Sequence, residues 1–160
     1  MRPTTRELIE AVVSSLQRDV SPHLADKWGA SALRSAVQLL NHLAVRVEKE
    51  QVVLIEDNVD VRRVLLSIGE RLTASQSRPA WCRAIEEALA APEPATHDAV
   101  GLGGCNEALQ GVVELLLRDR QALHAVPSGR DLHADLRSYL RRRLEREQGL
   151  YFPAFTGAPF

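Results

Sequence analysis

The sequence predicts an all-α, single-domain helical bundle of about five to six helices with an irregular aromatic tail. Three observations carry this reading. Apolar residues recur at helical spacing through most of the chain. Aromatic residues are only 4% of the total, so the core must come from Leu, Val, Ile and Ala, a palette that suits helix packing better than a sandwich. A length of 160 residues suits one domain and is enough to bury a core without disulfides or metal. The predicted organisation is a bundle over residues 1–149 and a tail over 150–160 that packs on the bundle or on a second subunit.

Thr4 and Glu7 have the spacing of a capping box, in which each side chain meets the other's orphan backbone N–H. Leu8, Ile9, Val12, Val13, Leu16 and Val20 follow with helical period, and Ser21-Pro22 ends the run. A second helix enters through Trp28-Gly29-Ala30 and presents Leu33, Val37, Leu40, Leu43, Ala44 and Val47. Glu56-Asp57-Asn58 interrupts the pattern. Asp57 or Asn58 would then cap a third helix along Val61, Val64, Leu65, Ile68 and Leu72, unless helices two and three form one long rod. QVVLIED reads alternatively as a short strand, but no β partner is evident.

Ser77-Arg78-Pro79 opens the fourth helix, with Trp81, Ile85, Ala88 and Leu89 facing inward, and Pro92-Glu93-Pro94 stops it. Pro92–Gly104 reads as a long irregular segment. The fifth helix then starts near Asn106, carries Leu109, Val112, Val113, Leu116, Leu117 and Leu123, and breaks at Pro127-Ser128-Gly129. Ser128 and Asp131 are candidate caps for the sixth, whose leucines Leu132, Leu136, Leu140 and Leu144 form a strict i, i+4 ladder. All three phenylalanines, Phe152, Phe155 and Phe160, lie in the tail beside Tyr151. A disordered tail would seldom concentrate aromatics in this way. These four residues are therefore the candidate interaction surface.

The net charge of −1 gives no bias toward nucleic acid or an anionic membrane. Lys27 and Lys49 are the only lysines. The arginine bias fits a GC-rich coding sequence, and it would indicate bidentate anion binding only if the arginines converged in space. The N-terminal MRPTTRELIE becomes charged at once, unlike a secretory leader, and no apolar run approaches roughly 18 residues. These features predict a cytoplasmic protein without a membrane span, in which Cys82 and Cys105 are reduced thiols.

No Glu-x-x-His or His-x-x-x-His occurs, and His23, His42, His97, His124 and His133 fall in five different segments, so no metal or cofactor is expected. No Gly-x-Ser-x-Gly elbow is present, and Gly101-Leu102-Gly103-Gly104 lacks the Lys-Ser/Thr and preceding strand of a phosphate loop. Glu48, Glu50, Glu56, Asp57 and Asp60 lack the spacing of a calcium loop and read as a charged helix end. Arg137, Arg141, Arg142, Arg143 and Arg146, interrupted by Glu145 and Glu147, read as a solvated face rather than a nucleic-acid stripe.

Two polar stripes remain. Ser31, Ser35, Gln38 and His42 share one face of helix two, flanked by Arg34, Asn41 and Arg46. Asn106, Gln110, Glu114 and Arg118 recur every fourth residue on helix five. Most such stripes are solvated faces. If these two faced each other, His42 would be the acid–base group of a polar pocket, with Arg34 or Arg46 holding an anion beside Gln38, Asn106, Gln110 and Glu114.

RPTTRELIEAVVSSLQRDVSPHL and SALRSAVQLLNHLAVRVEKE, about the first third of the chain, resemble a bacterial family of small helical proteins encoded beside acyl-CoA dehydrogenases and aminoglycoside-phosphotransferase-like kinases. The resemblance contains no catalytic motif. It implies only an accessory role near acyl-CoA or kinase chemistry. The leading expectation is a non-catalytic, homodimeric accessory or interaction protein with a possible protein partner. The alternative is a small enzyme or ligand-binding protein with its pocket between helices two and five.

Overall fold

The computed structural model describes residues 2–74, 81–92 and 98–153. The protein is all-α: the described residues form α1 (Thr5–Ser15), α2 (Lys27–Ala74), α3 (Cys82–Ala90), α4 (Ala99–Arg118), α5 (Arg120–Ala125) and α6 (Gly129–Gln148). Contacts cluster into two compact units, Met1–Glu50 with Glu147–Phe160, and Gln51–Arg146.

In the first unit, α1 starts from the expected capping box. Glu7 N–H donates to Thr4 Oγ1 at 3.2 Å, and Thr4 N–H donates to Glu7 Oε2 at 2.6 Å. A π-helical turn over Leu16–Val20 and a 3₁₀ turn over Ser21–His23 carry the chain to α2. Asp26 caps α2 by accepting from Gly29 N–H at 2.8 Å. Arg6 pairs with both Glu10 and Glu48, which ties the start of α1 to α2. Val13, Val37 and Ala44 are buried, but several residues of the expected apolar stripes are exposed, including Leu8, Val12, Leu43 and Val47.

The second unit holds the large apolar core. Val61, Leu65, Ile68 and Leu72 of α2 cluster with Trp81 and Ile85, with Leu109, Val113 and Leu116 of α4, with Leu123, and with Leu132, Leu136 and Tyr139 of α6. Four sequence expectations change here. Residues 51–58 continue α2, so Asp57 and Asn58 are buried mid-helix residues and not caps. Gly101–Gly104 lies inside α4, because Asp98 caps that helix by accepting from Gly101 N–H at 2.7 Å. Leu144 is 60% exposed, because a strict four-residue ladder drifts about 40° per step on a 3.6-residue helix and leaves the core face. The helix ends earlier than expected at Asp119, which caps α5 through Ala122 N–H. Ser77-Arg78-Pro79 lies outside the described residues.

Candidate functional site

The core stripes of α2, α4 and α6 each run on into polar residues. On α2 the face of Val61, Val64 and Ile68 extends back one turn to Asp57 and Asp60. On α4 the line of Leu109 and Leu102 includes Asn106, and on α6 the line of Leu132, Leu136 and Tyr139 continues to Arg143 and Arg146. Helical period therefore brings these groups together in the interior of the second unit.

Asp57 sits at the centre. Its carboxylate accepts from Arg146 Nη2 at 2.6 Å, Asn106 Nδ2 at 2.7 Å, Gln110 Nε2 at 3.1 Å and Tyr139 Oη at 3.1 Å, with Arg143 Nε at 3.9 Å. Asp60 takes a bidentate fork from Arg142 at 2.8 and 2.9 Å and a further bond from Arg146 Nη1 at 3.0 Å. Asn106 also donates to Asn58 Oδ1 at 2.9 Å, and Asn58 Nδ2 donates to Leu102 O at 3.1 Å. Gln110 donates to Tyr139 Oη, which completes a ring of Asp57, Gln110 and Tyr139. Arg146 Nε is buried and has no hydrogen-bond partner among the described residues.

Burial pushes the Asp60 carboxyl up, but hydrogen bonds from Arg142 and Arg146 outweigh it and hold Asp60 below the usual aspartate value. Burial by itself lowers Arg146, and its bonds to Asp57 and Asp60 more than offset this. Burial of Tyr139, which is wholly inaccessible, raises its phenol well above the ordinary tyrosine range and keeps it a neutral donor. Two carboxylates thus face three guanidiniums, and the acceptor positions of Asp57 are occupied by donors from α4 and α6. The chemistry available to this cluster is cross-linking of α2, α4 and α6 in one register.

The arginines and acidic residues expected on solvated surfaces are the ones that build it. Arg142, Arg143 and Arg146 do converge, but onto Asp57 and Asp60, whereas Arg137 and Arg141 of the same run and Glu48 and Glu56 of the acidic group are exposed. The signal in the sequence was the continuation of the 3.6-residue stripes past Val61 and Tyr139. It is concealed when α2 is divided at Glu56 and when α6 is read as a four-residue ladder.

The other candidate residues are distributed as follows. Asn106 and Gln110 join the cluster, whereas Glu114 and Arg118 pair with each other at 2.5 Å on the exposed side of α4. His42 and Gln38 belong to the first unit and meet the start of the tail. Phe152 N–H donates to His42 Nδ1 at 2.9 Å, Gln38 Nε2 donates to Pro153 O at 3.2 Å, and the rings of Tyr151 and Phe152 lie edge-on to His42. Arg46 pairs with Glu50, and Arg34 is exposed. Phe155 and Phe160 lie outside the described residues.

Cys82 and Cys105 are half-buried and not joined in a disulfide. Arg62 reaches Cys105 Sγ and the carbonyls of Leu89 and Ala91, each at 3.4 Å, beside a small cavity of about 190 Å³. A groove of about 520 Å³ runs past Leu66, Leu72, Ile85 and Leu89. None of the residues of the polar cluster lines either one. Among the described residues no three His, Cys, Asp or Glu side chains group as a metal site, and no helix is long and apolar enough to cross a membrane. The rings of His124 and His133 do meet, at 5.3 Å. Comparison with protein-family models, with curated proteins and with solved structures finds no match to this chain.

Proposed function

We propose that this chain is a non-catalytic helical interaction protein that works as a homodimer. The observation that carries the reading is the set of large aliphatic side chains left in water by otherwise well-packed helices. Leu39, Leu43 and Val47 are exposed in the first unit, and Val52, Val59 and Leu66 in the second, each by half or more. Apolar side chains exposed in this number are a liability unless something covers them. The buried polar cluster supports the same reading from the other side, since its donors and acceptors, Arg146 Nε apart, are spent on one another rather than directed at a ligand. An accessory role beside acyl-CoA or kinase chemistry is the setting that the sequence resemblance suggests.

The test is sedimentation velocity across the micromolar range. A dimer is the expected result. A monomer at every concentration overturns the reading.

A further inference from the structure

The aliphatic residues exposed on the second unit's part of α2 are not scattered. Val52, Val59 and Leu66 recur every seven residues, with Ile55 between the first two, and they are 37–55% exposed. On a helix this spacing gathers them into one narrow seam, as at the a and d positions of a coiled coil. Arg62 occupies the next d position, but its guanidinium is drawn away to Cys105 and to the carbonyls of Leu89 and Ala91, so it puts no charge into the seam.

The flank of the seam has its own pattern. Glu56, Arg63 and Glu70 follow one another at seven-residue intervals with alternating sign, all three exposed and none with an ion-pair partner among the described residues. Seven residues is too far for a pair along the same helix, which needs a spacing of three or four. Elsewhere the exposed charges of this chain do use that spacing, as Arg83 with Glu87 and Glu114 with Arg118 do.

Reversed about the point midway between Glu56 and Arg63, this series sets each of those two charges against its opposite. We infer that the occupant of the seam is the same seam of a second copy, running antiparallel about a two-fold axis near Val59. This inference rests on the homodimer reading above and adds its surface and direction. The axis sets Glu56 of each copy against Arg63 of the other, and Ile55 towards Leu66. A parallel pairing in register brings none of these opposite charges face to face. Each surface pair contributes little energy, so the charges select direction and the aliphatic seam supplies the affinity. A seam of about two heptads is a small interface, which implies dissociation in the micromolar range.

Three variants test this by sedimentation velocity, with helicity by circular dichroism confirming that each folds. Val59→Glu is expected to leave a monomer where the natural chain is dimeric. Glu56→Arg is expected to weaken the dimer by about five-fold or more, and the double variant Glu56→Arg with Arg63→Glu to restore it. A dimer unaffected by Val59→Glu overturns the seam while leaving the homodimer itself standing. Failure of the double variant to restore association overturns the antiparallel direction. A natural chain that is monomeric throughout overturns the homodimer and this inference together.

Discussion

Asp57 and Tyr139 are both buried in the same cluster, yet they do not carry equal weight. Asp57 is a charge whose removal strands the guanidinium of Arg146 and the amides of Asn106 and Gln110. Breaking a buried ion pair from one side costs about 3–5 kcal/mol, since the remaining charge stays desolvated. Asp57→Ala is therefore expected to destabilise the protein by that amount. Tyr139→Phe removes one hydroxyl and keeps the ring in the core, so about 1–2 kcal/mol is expected. Urea denaturation midpoints check the order. Equal losses for the two variants would refute the central place given to Asp57.

At the scale of the element, α4 is a helix that holds against its own glycines. Intrinsic propensity sets Gly about 1 kcal/mol below Ala at each interior position, and α4 contains Gly101, Gly103, Gly104 and Gly111. Burial of Leu102, Leu109, Val113 and Leu116 along one face, together with the Asp98 cap, overcomes that penalty. At Gly104 and Gly111 an added methyl meets nothing within 4 Å. Gly104→Ala and Gly111→Ala are each expected to stabilise the protein by about 0.5–1 kcal/mol. Gly129, at the start of α6, is the opposite case, because a Cβ there would lie 2.0 Å from Leu123 O. The backbone must move to admit it, so Gly129→Ala is expected to cost about 1–3 kcal/mol. Thermal melts of the three variants should show two rises and one fall.

At the scale of the whole molecule, the cluster predicts how folding responds to pH. The pKa of Asp60 is depressed in the fold, so its contribution is complete above the unfolded aspartate value of about 3.9 and is lost as pH falls through the lower folded value. The pKa of Tyr139 is raised, so its contribution is complete below the unfolded tyrosine value of about 10 and is lost as pH rises toward the folded value. Between those limits these two groups add no slope. Asp60→Asn should flatten the acid limb of a stability–pH profile and Tyr139→Phe the alkaline limb. Limbs unchanged by either substitution would show that other groups control them.

The sequence by itself determined the helical class, the capping box at Thr4 and Glu7, the core lines through Val61–Leu72 and Leu109–Leu116, and the pairing of Glu114 with Arg118. These are local matters, set by spacing along one helix. Tertiary structure decided the rest. Whether Glu56-Asp57-Asn58 ends a helix or lies within one depends on whether Asp57 finds donors, and those come from Asn106, Tyr139 and Arg146, 49 to 89 residues away. Whether the glycines of α4 form a loop or a helix depends on what Leu102 and Leu109 pack against. A buried carboxylate and a solvated one look alike in a sequence. The partners that make burial affordable are found only when α2, α4 and α6 come together.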